Sequence, residues 1–179
     1  MDSTTQHHIR NVGAIDTADG SEVEQGIRRY QRSVIINAPI ERVFHFHDDT
    51  NNLIRITPKG IKVAIESVGT PGLGYEAKLV VTQFGLVRMR WHVRITQYDP
   101  PHSITDVQIS GPFHTWRQHR YFREVEGGTE LTDVVEYRLP FGWLGKIADA
   151  LLVKREIAKM FAYRQEATKR LLEGSDSEP

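Results

Sequence analysis

The chain has 179 residues, about one ordinary domain, and its 23 Lys and Arg balance 23 Asp and Glu to a formal net charge of zero. That balance excludes a protein that coats nucleic acid through a basic surplus, and the lack of cysteine excludes disulfide scaffolds, thiol catalysis and thiolate metal centres. With no apolar run near the ~18 residues of a membrane span, and no basic and apolar leader, the sequence predicts a soluble cytoplasmic protein without membrane insertion.

Charge is uneven along the chain. The first 26 residues carry Asp2, Asp16, Asp19, Glu22 and Glu24 against Arg10 alone, and the last six add Asp176 and Glu178. Both ends offer little apolar surface to offset the entropy of ordering. Residues 1–27 therefore read as a flexible acidic tail, 28–173 as one domain with a basic excess, and 174–179 as a second tail. Solubility accounts for the acidity; masking of the basic domain is the alternative.

The first strand runs from Tyr30 to Ile36 and stops at Asn37-Ala38-Pro39. Proline suits a first helical turn, and Ile40, Val43, Phe44 and His47 follow at helical spacing. A second short helix around Leu53 to Ile56 ends at Thr57-Pro58. Strands follow. Ile61, Val63 and Ile65 alternate with Lys62 and Ala64. After Thr70-Pro71-Gly72, the residues Leu73, Tyr75, Ala77, Leu79 and Val81 share one face. The clearest alternation sets Val87, Met89, Trp91, Val93 and Ile95 against Arg88, Arg90, His92, Arg94 and Thr96, the period of a half-buried antiparallel strand. Asp99-Pro100-Pro101 ends it. Ser103 to Ser110 and Phe113 to Val125 are two further strands. Glu126-Gly127-Gly128-Thr129 predicts a two-glycine hairpin turn of the primed type, and Leu131, Asp133, Val135, Tyr137 and Leu139 alternate beyond it.

From about Phe141 to Leu172 the period changes to that of a long helix, through Leu144, Ile147, Leu151, Ala158, Phe161, Thr168 and Leu172. The expected fold is therefore α+β, a curved seven-stranded antiparallel sheet wrapped on a long C-terminal helix, with two short helices after the first strand. Such a sheet must bury its concave face on the helix. It bends most easily around an elongated cavity, with the short helices plugging or gating one end.

Several motifs carry a resemblance. Ile36-Asn37-Ala38-Pro39-Ile40-Glu41-Arg42-Val43-Phe44, Tyr98-Asp99-Pro100-Pro101, Gly111-Pro112-Phe113, Trp116, Gly127-Gly128-Thr129, Asp133, Tyr137 and Pro140-Phe141-Gly142 are similar to the SRPBCC superfamily. This is the START-like, helix-grip fold shared by Bet v 1-like proteins and polyketide cyclases, and the nearest likeness is to bacterial ligand-binding members. The resemblance covers about Tyr30 to Leu172. It implies an apolar pocket for a lipid, quinone, polyketide or other aromatic molecule, no cofactor, and no catalytic constellation common to the family.

Candidate site residues follow. Met89 and Trp91, with Leu79 and Tyr75, form an inward stripe that periodicity alone reads as solid core and the resemblance shifts toward pocket wall. Phe113 and Phe141 enter through the resemblance. Trp116, Gln118, Arg120 and Phe122 alternate on one strand, so an inward Phe122 carries Gln118 and Arg120 inward too. A buried guanidinium needs a partner, and Asp133 is available on the face of Val135 and Tyr137. Together they would form a polar floor that orients a ligand's oxygen atoms; a bulge that flipped the register would instead put both in solvent. The Tyr137 hydroxyl needs a partner when buried, and a ligand could supply it.

The eight histidines do not hold ligand spacing for a metal. His45 and His47 point to different helix faces, and His114 and His119 to opposite strand faces. No nucleophile motif occurs, although His119 and Asp133 stand as acid–base candidates. The leading expectation is a carrier, sensor or transfer protein for a hydrophobic small molecule. A cyclase/dehydratase in the same cavity is the second. A docking module working through the basic stripe Arg88, Arg90, His92 and Arg94 is the third.

Overall fold

The structure, a computed structural model, describes residues 26–83, 85–140 and 152–174. In chain order these form β1 (Arg28–Ile36), α1 (Ile40–Asp48), α2 (Asn52–Arg55), β2 (Ile61–Val68), β3 (Glu76–Gln83), β4 (Val87–Asp99), β5 (Ser103–Ser110), β6 (Thr115–Val125), β7 (Gly128–Arg138) and α3 (Lys154–Glu173). The sheet is antiparallel throughout, in the order β1-β7-β6-β5-β4-β3-β2. Short connections make β2 to β7 neighbours in chain order. The exception is β1, because α1 and α2 carry the chain across to the opposite edge before β2 begins. Register shifts at Ile65/Ser67 in β2, and at His92/Val93 and Ile95/Gln97 in β4, mark the irregularities at which such a sheet bends.

Expected boundaries moved at several points. β1 begins two residues before Tyr30, and β3 begins at Glu76, which leaves Leu73 exposed in the preceding turn. The Pro39 backbone caps α1 rather than entering it. Of the two hairpin glycines, only Gly127 lies in the turn; Gly128 is already the first residue of β7. A Cβ on Gly128 would overlap the Ile36 carbonyl oxygen, and its φ is 126°, so no side chain fits there. Beside it the Thr129 hydroxyl donates to the Ala38 carbonyl at 2.7 Å. Two motifs that lie far apart in sequence, Ile36-Asn37-Ala38-Pro39 and Gly127-Gly128-Thr129, thus meet as one joint.

Along α3 the buried positions are Ile157, Phe161, Gln165, Ala167, Thr168 and Leu172. The stripe is therefore rotated from the expected one at Ala158, which is only partly buried, onto Ile157. The expected Leu144, Ile147 and Leu151, and the tails at residues 1–25 and 175–179, lie outside the described residues. Gln165 and Lys169 fix α3 along β1 by donating to the Arg32 and Ile35 carbonyls, each at 3.0 Å. One apolar cluster joins α1 to β1, β6 and β7 around Phe44, and a second joins β6 and β7 to α3 around Trp116 and Phe161. Among the described residues, no helix is long and apolar enough to cross a membrane.

Candidate functional site

Between α3, the two short helices and the concave faces of β2 to β7 lies a cavity of about 500 Å³. Its walls come from the alternation itself. β2 gives Ile61 and Val63, β3 gives Ala77, Leu79 and Val81, and β4 gives Met89, Trp91, Val93 and Ile95. Met89, Trp91 and Val93 are half-buried, because their inner faces meet the cavity and not a packed neighbour. Phe46 of α1, Leu53 of α2 and Ile56 at the end of α2 line the same space. The end of α1 is tied to the sheet there: Thr50 and Tyr75 share a hydroxyl hydrogen bond of 2.6 Å, and the Tyr98 hydroxyl donates to Asp48 at 3.0 Å.

Aromatic rings frame one side. Trp91 and Trp116 meet edge to face with centroids 5.0 Å apart, and Phe113 lies 4.7 Å from Trp116. Trp116 in turn stacks on Phe161 of α3 at 6.5 Å. Such pairs hold one another in place beyond simple area burial.

Beside the apolar wall, polar side chains of four elements converge. The unbroken β6–β7 register puts Trp116, Gln118, Arg120 and Phe122 on the inner face, and no bulge turns Arg120 outward. Arg120 and Asp133 stand directly opposite in that register, yet they do not pair. The Arg120 guanidinium reaches Asp106 of β5 instead, and also donates to the His47 carbonyl at 3.3 Å. Asp133 accepts from two amides, Gln118 Nε2 at 3.0 Å and Gln165 Nε2 at 2.8 Å. The expected Arg120–Asp133 pair is thus corrected to Arg120–Asp106. Both Asp133 oxygens already accept from amides, and Asp106, diagonal to Arg120 across the β5–β6 pair, takes the guanidinium.

Desolvation dominates the electrostatics. Burial pushes the Asp106 and Asp133 carboxyls above the usual carboxylate range, Asp106 despite Arg120 beside it and Asp133 despite its Gln165 and Gln118 amides. Burial, with Arg120 and Arg164 nearby, lowers His47 to about 3, which leaves a neutral imidazole at physiological pH. Arg164 is lowered to about 10 by burial, partly opposed by Asp133, and so keeps its charge. His47 Nε2, Trp91 Nε1, Arg164 Nε and Gln165 Oε1 are all buried, and none has a hydrogen-bond partner among the described residues. All four side chains line the cavity.

Of the residues expected from sequence, the structure places Tyr75, Leu79, Met89, Trp91 and Phe113 on the cavity wall. Trp116, Gln118, Arg120 and Asp133 line it as well. Tyr137 is not part of that wall: it is 2% exposed in the core, with Phe113 and Trp116 packed against its ring. Phe141 lies outside the described residues. The acid–base candidate His119 is on the outer face of β6, bonded through Nδ1 to the Thr105 hydroxyl at 3.0 Å and stacked on Tyr121. Sequence reasoning missed Asp106, His47, Arg164 and Gln165. A signal existed for two of them, since Asp106 shares the face of inward Ile104 and Gln165 interrupts the apolar stripe of α3.

The comparisons agree with this geometry. A family model described as "Polyketide cyclase / dehydrase and lipid transport" matches residues 36–166. No curated protein matches the sequence. Among solved structures, protein CV1439 from Chromobacterium violaceum aligns with a TM-score of 0.66 at 16% identity, over 82% of this chain and 98% of its own. Ara h 8.0201 aligns with a TM-score of 0.60 at 16% identity, over 83% and 99%. The di-domain ARO/CYC StfQ from the steffimycin biosynthetic pathway aligns with a TM-score of 0.67 at 10% identity; 86% of this chain covers 53% of StfQ. At these identities the likenesses speak for the fold. With the family model spanning most of the domain and the helix-grip architecture in place, the chain belongs to the polyketide cyclase/dehydrase and lipid transport family of the SRPBCC superfamily.

Proposed function

We propose that the protein binds a hydrophobic or amphipathic small molecule, such as a lipid, quinone or polyketide, in this cavity and acts as a cytoplasmic carrier, sensor or transfer protein. The observation that carries the reading is the cavity of about 500 Å³, with apolar walls and polar groups gathered on one side. Small-molecule sites have that composition. Burying a ligand's apolar area contributes roughly 25 cal/mol per Å², and the polar side chains fix its orientation.

Among the polar groups, His47 speaks for binding over turnover. A general base works best with a pKa near the operating pH, and His47, at about 3, is far below it. The competing reading is a cyclase/dehydratase acting on a polyketide or aromatic substrate. It is supported by the likeness to StfQ and by the upward shift of Asp106 and Asp133, since a protonated buried carboxyl can donate a proton.

Native mass spectrometry of the purified protein, followed by organic extraction and mass analysis of whatever is released, tests the proposal. A stoichiometric apolar molecule is the expected result. An empty protein that also takes up no fluorescent apolar probe overturns it. Conversion of the extracted molecule by the protein, abolished in Asp133→Asn with binding retained, would establish the enzyme instead.

A further inference from the structure

Besides Asp48, Asp49 and Glu156, the cavity is lined by the Arg120 and Arg164 guanidiniums and the Asp106 and Asp133 carboxyls, but these four are not two ion pairs. Asp106 pairs with Arg120. Asp133 has both its oxygens occupied by the amides of Gln118 and Gln165. That leaves Arg164 of α3. Its guanidinium carbon lies 5.5 Å from the Phe161 ring centroid, its Nε is buried without a hydrogen-bond partner, and no described acid forms an ion pair with it. The aromatic face beneath it supplies attraction but no acceptor. A buried guanidinium nitrogen without an acceptor is costly even with the Asp133 and Asp106 charges nearby, and an acceptor that arrives with a ligand accounts for it.

We propose that Arg164 receives an anionic oxygen head group, a carboxylate, at the polar end of the bound molecule. This rests on the cavity being a ligand site, and it narrows the ligand class from any apolar molecule to an amphipathic acid. Gln165, next to Arg164 on α3, keeps its amide nitrogen on Asp133 and the Arg32 carbonyl, and its buried Oε1 can accept from a hydroxyl elsewhere on the same ligand. Arg suits a carboxylate because its planar fork offers two parallel donors. The apolar tail then lies along Val81, Met89 and Val93.

The test compares a dansyl-labelled undecanoic acid with its methyl ester by fluorescence titration. The pair differ by one methyl group and by the charge at one end. The acid is expected to bind the wild-type protein roughly 10- to 100-fold more tightly than the ester, the range for a buried hydrogen bond to a charged group. Arg164→Gln should weaken the acid far more than the ester and close the gap between them, and Arg164→Lys should retain part of the preference. Equal binding of acid and ester by the wild type overturns the head-group assignment while the cavity reading stands. A preference that survives Arg164→Gln moves the head group away from Arg164. Uptake of neither probe overturns both. Should Arg164→Gln fail to fold, the ratio of acid to ester on the wild-type protein still decides the ligand class, and Arg164→Lys reports the residue.

Discussion

The two ends of the concave sheet face are built from the same period-two alternation and end in opposite states. Around Phe44, the side chains of Ile36, Val43 and Leu131 are fully buried, and the Phe44 ring meets Phe122 at 5.3 Å and Tyr98 at 5.6 Å. Around Trp91, the equally apolar Met89 and Val93 stay half-buried and face the cavity. The difference is what lies opposite. α1 drives Val43 and Phe44 into the sheet at one end, whereas α3, tethered along β1, leaves the inner faces of β3 and β4 turned to the cavity. Alternation decides which way a side chain points; packing against another element decides whether it becomes core or wall.

That contrast has its sharpest consequence in stability. Phe44→Ala should cost about 3–5 kcal/mol, because a large ring leaves a closed site that cannot collapse. Met89→Ala should cost about 1 kcal/mol or less, since a half-exposed side chain recovers only part of its burial energy on folding. Chemical denaturation of both variants checks this. A Met89 loss rivalling that of Phe44 would make the wall part of the solid core and break the comparison.

The polar floor repeats the contrast at smaller scale. Asp106→Ala strands the Arg120 guanidinium in a buried site and should cost about 3 kcal/mol. Asp133→Asn, whose partners are neutral amides, should cost about 1–2 kcal/mol, the result of setting an amide donor against amide donors. Equal losses in urea denaturation would mean that Asp133 also carries an ion pair.

The sheet was legible in the sequence for reasons that are local. Alternation over Val87–Ile95, the prolines at Pro39 and Pro100-Pro101, and the glycines at Gly127 and Gly128 all act within a few residues of where they stand. Gln118 and Arg120 were legible by the same rule, since Phe122 on the same strand had to point inward. Arg120's true partner was not. Asp106 is the partner because the Gln118 and Gln165 amides already occupy Asp133, an arrangement that alternation does not encode. Arg164 was harder still. The helical period fixes an apolar stripe only to within a residue, as the shift from Ala158 to Ile157 shows, and one residue of rotation decides whether Arg164 meets water or the cavity.

His47 gives the comparison a pH axis. Its pKa falls from the ordinary 6.5 to about 3 in the folded protein, so the unfolded chain binds a proton that the folded chain refuses. The stability it contributes is complete above the unfolded value and drains away as pH falls from 6.5 toward 3. Asp106 and Asp133 act in the opposite sense, because their raised values relieve a burial penalty as pH falls through them. Comparison with His47→Phe removes the carboxyls from the balance. Between pH 7 and pH 5 the wild type should lose about 1–2 kcal/mol more than the variant, read from denaturation midpoints. Parallel pH profiles would mean that the imidazole is protonated in place.

The smallest effect belongs to the outer face of β4, and its smallness is the test. His92 Nε2 lies 2.7 Å from Glu76 Oε2, and Arg94 Nε donates to Glu76 Oε1 at 2.8 Å, so half of the basic stripe is already matched by a cross-strand acid. Arg88 and Arg90 are exposed. Exposed charges of this kind move stability by less than about 0.5 kcal/mol. Arg88→Glu with Arg90→Glu should therefore leave both the denaturation midpoint and uptake of a fluorescent apolar probe at wild-type levels, although it reverses the charge of two residues directly behind the cavity wall. A tenfold weakening of uptake in that double variant would move the ligand contact from the inner to the outer side of β4. The sheet's two faces would then share the work that the structure assigns to one.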